Sequence, residues 1–217
     1  MEFIQLFKES FPSLISGLGV TIEITLIALV IALFLGLTFG MMAISNNVVL
    51  KTVSRIYVDI IRGTPLIVQA FFIYFGLPNV LDNFKIDAFA AGVIAISVNA
   101  GAYMVEIFRG GILAVDKGQM EAARSLGLSY GKAMLKIVLP QAVRKMVPAF
   151  INQFIISLKD TSILTVIGIR ELTQSGEIII ANNYKAFETW AMVGIMYFVI
   201  ITVLSYAARG LERRLKG

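Results

Sequence analysis

Residues 24–50 read ITLIALVIALFLGLTFGMMAISNNVVL, and no side chain from Ile24 to Leu50 carries a charge. A helix rising 1.5 Å per residue needs about 20 apolar residues to cross the ~30 Å of a bilayer core. This run supplies them without interruption. It shows no strict period-two alternation, so a helix rather than a barrel strand is the spanning form, since lipid cannot satisfy open backbone groups. The beginning of the chain is expected to be retained rather than cleaved. Glu2, Glu9 and Glu23 stand where a signal peptide would carry basic residues, and the apolar run is too long for one.

Working outward, the run belongs to a first span over about 18–44. Four more follow at about 56–77, 88–108, 137–158 and 189–208, the second holding Asp59 and Arg62 near its start. The expected architecture is therefore all-α and integral to the membrane, one transmembrane domain over 1–217 with five helices. Composition agrees. The set AVILMFWYC makes up 58% of the 217 residues, against about 45–50% apolar usage in soluble chains, and the mean hydropathy is +0.83. A water-soluble domain this small could not hide that much apolar surface, and disorder is excluded by the same excess. The chain has no Cys and no His. That excludes a disulfide scaffold and removes the usual zinc and copper ligand sets, thiol catalysis and imidazole relays. Neither catalytic residues nor a metal site is expected.

Five spans put the termini on opposite sides, and fourteen of the nineteen Lys and Arg residues then share one side. The positive-inside bias places that side in the cytoplasm, with the N-terminus outside and the C-terminus inside. The net charge of +5 is thereby accounted for without nucleic acid.

Residues 109–136 form a long polar connection on the basic side, where loops of this length are commonly functional. Gln119–Leu126 and Gly131–Lys136 carry good helix formers. Gly127 is placed as a helix stop and Ser129 as an N-cap, so two short surface helices turned at Gly127 are expected. The loop reads Glu121-Ala122-Ala123, three residues, Gly127, nine residues, then Ile137-Val138-Leu139-Pro140. This resembles the EAA signature of permease subunits from bacterial ATP-binding-cassette importers. Arg62-Gly63-Thr64-Pro65-Leu66 with Gln69 and residues 72–78 (FIYFGLP), residues 103–112 (YMVEIFRGGI), Lys117-Gly118-Gln119, residues 157–162 (SLKDTS) and Glu171-Leu172 are similar to the polar amino acid uptake branch. The resemblance covers about residues 11–210.

It implies the type I importer permease fold and a role as the transmembrane subunit of an ATP-driven amino acid importer. Glu121, Ala122, Ala123 and Gly127 would couple it to a cytoplasmic ATPase, with small residues permitting close docking and Gly127 the turn. The chain has no G-x-x-x-x-G-K-[ST] phosphate loop. Two copies of a separate ATP-binding subunit are therefore implied, carrying ATP and Mg, with no cofactor on this chain. The further partners implied are a second permease chain, expected as a homodimer, an extracellular solute-binding protein, the amino acid and membrane lipid.

Polar side chains at membrane depth recur at helical spacing, where they usually face a bundle interior or an aqueous path. Asn99 and Tyr103 form one such stripe, with Glu106 beyond them. Gln153, Ser157 and Asp160 form another, extended by Thr161 and Ser162. These seven, Glu106 excepted, are the candidate substrate-binding set; polar bonding between helices is the alternative. Asp160 suits an ammonium or a basic side chain, so the expected cargo is a polar amino acid, with a basic one favoured by that carboxylate. Asp59 and Arg62 are expected to pair within their helix, Glu106 and Arg109 to brace the loop, and Thr21 and Thr25 to bond their own backbone. Residues 163–183 are expected as a short amphipathic helix on the outer side. Pro65, Pro140 and Pro148 are expected to kink or break helices. An ion-coupled secondary transporter or channel is the alternative function, predicting internal inverted repeats that the sequence does not display. A membrane-embedded enzyme is disfavoured by the missing His and Cys.

Overall fold

The computed structural model describes residues 2–81 and 85–216. Every regular element among the described residues is helical.

Helix α1 covers Glu2–Ile44, far beyond the expected span 18–44. Its 43 residues reach about 64 Å at 1.5 Å per residue, roughly twice a bilayer core. Lys8 and Glu9 interrupt hydropathy there but not helix propensity. Asn47 then caps α2 (Val48–Arg62), its side-chain oxygen accepting from the Val49 and Leu50 N–H groups. The second span is a bent pair rather than one rod. At Gly63-Thr64-Pro65 the chain turns by 101° into α3 (Leu66–Phe71), a π turn over Phe72–Gly76 and α4 (Leu77–Val80). Pro65 has no N–H to donate and disfavours helical geometry at Thr64.

Asp87 caps α5 (Ala88–Leu113) by accepting from Ala90 N–H at 2.9 Å. Helices α6 (Lys117–Ser125) and α7 (Tyr130–Ala133) form the loop. A π turn over Met134–Val138 leads into α8 (Leu139–Asp160), which tightens into a 3₁₀ turn over Thr161–Ile167. After Gly168, at φ +80°, come α9 (Leu172–Asn183) and α10 (Ala186–Lys216). Among the described residues four continuous helical stretches are long and apolar enough to span, and five spans result if the bent pair counts as one.

Both π turns have one cause. Each ends just before a Leu-Pro step, Leu77-Pro78 and Leu139-Pro140. A proline ring clashes with the carbonyl four residues back. Widening to i→i−5 bonding, Leu77 N–H to Phe72 O and Leu139 N–H to Met134 O, makes room while the helix direction continues.

Helix α5 is the hub. Of its most apolar window 67% is buried, against 11% for α10, whose Phe198, Val199 and Val203 face outward as lipid-contacting groups should. The main core joins Ile24 and Ala28 of α1, Ala70 and Ile73 of the bent span, Ala95 and Ile96 of α5, and Leu164 and Ile167 of the 3₁₀ turn. The segment after that turn is not a loose surface helix. Leu172, Ser175 and Gly176 of α9 are buried, and α9 is pinned to α1 and α10. Glu171, itself buried, accepts from Gln174 N–H at 2.7 Å and from the Tyr197 hydroxyl at 3.0 Å. Leu172 N–H donates to Thr21 Oγ1 at 3.2 Å. Thr21 and Thr25 also donate to their own helix, to Gly17 O and Thr21 O.

Candidate functional site

The break in the second span frees backbone carbonyls at membrane depth, where an unsatisfied polar group costs several kcal/mol. Gln69 answers this. Its Nε2 donates to Ile61 O at 2.8 Å, Thr64 O at 3.1 Å and Thr64 Oγ1 at 3.0 Å. Its Oε1 accepts from Asn99 Nδ2 at 3.1 Å. The amide thus bonds the broken strand of backbone to α5 and fixes Asn99, whose own Oδ1 has no protein partner among the described residues.

Against that break lies a cavity of about 550 Å³ whose wall includes Arg62, Asn99, Tyr103, Gln153 and Asp160, together with Gly63, Thr64 and Pro65. Four of the seven expected residues (Asn99, Tyr103, Gln153 and Asp160) meet there, contributed by α5 and α8. Ser157 is buried behind the wall and accepts from Gln153 Nε2 at 3.3 Å. Thr161 and Ser162 are turned to the helix end, donating to Leu158 O and Lys159 O, both at 2.7 Å. They finish α8 rather than line the cavity.

Arg62 behaves differently from its expected pairing. Asp59 is taken by Arg55 at 3.4 Å. The Arg62 guanidinium instead sits 5.1 Å from the centre of the Tyr103 ring, a cation–π placement. Neither Arg62 nor Asp160 has an ion-pair partner among the described residues. Arg62 also lines a second cavity of about 370 Å³, walled by Lys51, Arg55, Asp59, Glu106 and Arg109. Glu106 and Arg109 pair there in a two-point contact, 2.7 and 3.3 Å. Arg62 and residues 63–65 were not among the expected site residues, although the Arg62-Gly63-Thr64-Pro65-Leu66 stretch had marked the segment.

The loop is built from local chemistry. Asp116 caps α6, accepting from Gly118 N–H at 2.7 Å. At its other end Gly127 N–H donates to Arg124 O at 3.0 Å and Leu128 N–H to Ala123 O at 3.2 Å. This is a Schellman ending with Gly127 left-handed at φ +86°. Ser129 holds the N-cap position of α7, though its side chain makes no capping bond. Met120 packs against Val115, Val138 and Met146, Gln141 donates to Gln119 Oε1 at 3.2 Å, and Lys145 donates to the final α5 carbonyl region at Ala114 O. The loop is therefore seated on the ends of α5 and α8. Glu121 and Ala122 are exposed, whereas Ala123 is buried within the chain. Leu126, at 85% exposure, is a large apolar group presented outward, and nothing in its spacing marked it.

Comparison with known proteins adds to this geometry. Residues 36–217 match the family model described as "Binding-protein-dependent transport system inner membrane component". The glutamine transport system permease protein GlnP of Escherichia coli K12 is 43% identical over 207 residues, covering 95% of this chain and 94% of the relative. The arginine transport system permease protein ArtQ of Bacillus subtilis 168 is 38% identical over 206 residues, covering 95% and 94%. Among solved structures, one described as "Crystal structure of an amino acid ABC transporter with histidines" superposes with a TM-score of 0.93 at 41% identity, covering 99% of both chains. The methionine transporter MetNI, in an inward-facing form, superposes at 0.78 with 20% identity, covering 93% of this chain and 95% of its own; that match speaks for the fold alone.

Proposed function

This chain belongs to the family of binding-protein-dependent transport system inner membrane components, and from that membership we propose that the cavity at the split helix holds the amino acid it carries. The chain is a multi-pass subunit of the cytoplasmic membrane, the permease of an ATP-binding-cassette amino acid importer with the type I fold, and ATP hydrolysis belongs to a separate subunit. Such a permease works with an ATPase and a substrate-binding protein.

The finer assignments are ours. The whole of 1–217 serves as one transmembrane domain. Its basic loop faces the cytoplasm, the N-terminus lies outside, and two copies pair above two ATPases that carry ATP and Mg. Glu121, Ala122 and the projecting Leu126 form the surface offered to the ATPase, with Ala123 and Gly127 shaping it from within. Asn99, Tyr103, Gln153 and Asp160 bind substrate, while Ser157, Thr161 and Ser162 support that wall. The observation that carries this reading is the convergence on one cavity, beside a broken helix, of a cation and an anion that form no direct ion pair among the described residues, with three hydrogen-bonding side chains. Groups that costly at membrane depth are retained where a polar solute passes.

In proteoliposomes containing the assembled importer, amino acid uptake should require internal ATP and the binding protein. Uptake that persists after ATP depletion would favour an ion-coupled carrier instead. Asp160→Ala should lower uptake about tenfold at limiting substrate, the worth of one charge-assisted hydrogen bond; unchanged uptake would remove Asp160 from the site. A reporter fused after Gly217 should read as cytoplasmic, and an external signal would invert the topology.

A further inference from the structure

We propose that the basic end of α10 binds the phosphodiester of an anionic membrane phospholipid, with Arg209 and Arg213 as the contacts and the Tyr206 ring as their support. Helix α10 is the least enclosed of the four continuous spans, with 11% of its most apolar window buried within the chain. Phe187, Ile195, Phe198, Val199 and Tyr206 are all exposed. At 100° per residue they share one face about 120° wide. Arg209 and Arg213, also exposed, continue that face one and two turns beyond Tyr206. Trp190, 42% exposed, and Arg209 are separated by about 28 Å of helix rise, close to the ~30 Å of a bilayer core. With Trp190 at one interface, where such rings settle, Arg209 and Arg213 stand at headgroup level on the other.

The two ends of this face differ in charge. The first turn of α10 holds Glu188, whereas the sequence from 209 to 216 carries Arg209, Arg213, Arg214 and Lys216 against the single acid Glu212. A basic cluster directly beyond a span attracts anionic lipid. Neither Arg209 nor Arg213 forms an ion pair among the described residues. The Arg209 guanidinium lies 4.4 Å from the centre of the Tyr206 ring, and that cation–π contact steadies the fork. A planar guanidinium suits two-point binding of phosphate oxygens, and Arg213, one turn further along the same face, brackets the group. Continuity with the apolar face selects a lipid over a soluble phosphate ester, since Phe198, Val199 and Val203 lie where its acyl chains would run. A zwitterionic headgroup fits less well, because its own ammonium faces the same two cations.

The test uses the purified permease–ATPase complex in phosphatidylcholine nanodiscs that carry trace photoactivatable phosphatidylglycerol or phosphatidylcholine, with labelled residues mapped by mass spectrometry. The readout is the phosphatidylglycerol-to-phosphatidylcholine labelling ratio over residues 203–213, divided by the same ratio over residues 187–195. Both stretches belong to one helix in one preparation, so poor assembly of a variant does not mimic an effect. The unaltered complex should show a preference of at least about fivefold, the worth of one basic residue beside an anionic lipid. Arg209→Gln and Arg213→Gln should each lower it, and the double variant should bring it below about twofold. A preference near one in the unaltered complex overturns the site. So does a double variant that stays above twofold, which would assign the preference to other cations. Loss of the phosphatidylglycerol labelling on adding sn-glycerol 3-phosphate would show a soluble phosphate ester as the ligand instead. Absence of any lipid label at 203–213 while 187–195 label normally would show that a protein chain covers this face, and would overturn the proposal as well.

Discussion

Replacing Gly36 with leucine should abolish recovery of a folded permease. Between helices in lipid there is little hydrophobic drive, so association depends on close van der Waals contact, which small residues allow. Gly36 and Gly40 stand one turn apart on α1. A Cβ at Gly36 would lie 2.5 Å from Met104 Cβ and 3.2 Å from the Met104 carbonyl carbon, and one at Gly40 would lie 2.9 Å from Phe108 Cβ. From the other side, Gly101 of α5 admits Leu35 and the Tyr57 hydroxyl, with Cβ approaches of 3.0 and 2.7 Å. Helix α2 uses the same seam. Ser54 donates to Phe39 O and Tyr57 to Val98 O, both at 2.8 Å, and Tyr57 stacks on Phe39 at 4.4 Å. Backbone and Cβ atoms cannot swing aside as a flexible side-chain tip can, so three helices must part. Overpacking of this kind costs up to about 3 kcal/mol when side chains can adjust, and more here because they cannot. Size-exclusion profiles after detergent extraction should lose the monodisperse peak. Gly19→Leu is the control: it sits on the same helix with nothing within 4 Å of a Cβ, and it should behave as the unaltered chain. A monodisperse Gly36→Leu protein melting within a few degrees of the parent would refute the seam.

What the sequence made legible follows the range of the interactions. Apolar length is a local property, and the stretches at 88–108 and 189–208 reappear inside α5 and α10 with ragged ends. Capping is local too, and Gly127 stands at φ +86° where a helix stop was expected. The helical spacing of Asn99 with Tyr103, and of Gln153 with Asp160, brought four side chains to one wall because each stripe lies on a regular helix. The failures are non-local or competitive. Asp59 had two cations within reach on its own helix, Arg55 at i−4 and Arg62 at i+3, and spacing does not say which wins. Tyr103, forty-one positions away, supplied the alternative for Arg62. Pro65 announced a break but not a 101° turn, which depends on Gln69 being able to satisfy Ile61 and Thr64. The 3₁₀ turn at Thr161–Ile167 and its burial against α1 and α5 were likewise invisible, since its partners lie on distant helices.

Gly127→Val separates backbone geometry from contact at the loop proposed to dock the ATPase. A Cβ there would meet nothing within 4 Å, so no steric neighbour is disturbed inside the chain. The obstacle is φ at +86°, a region that a β-branched residue occupies only under strain. The Schellman ending satisfies two of the last carbonyls of α6, Ala123 O and Arg124 O, through that one torsion. Relaxing it releases Gly127 N–H and Leu128 N–H from Arg124 O and Ala123 O, and re-aims Glu121, Ala122 and Leu126 relative to α8. A strain of about 2 kcal/mol lowers the population of the docking-competent turn roughly thirtyfold. The spanning helices are untouched, so the variant should extract and melt like the parent. ATP-driven uptake should fall by about thirtyfold, with ATPase co-purification weakened in step. Gly127→Asn should recover much of both, since Asn tolerates left-handed backbone far better than Val. Equal loss in the Asn and Val variants would show that Gly127 is needed for close approach to the ATPase rather than for its torsion. Full uptake in the Val variant would mean that the turn plays no part in coupling.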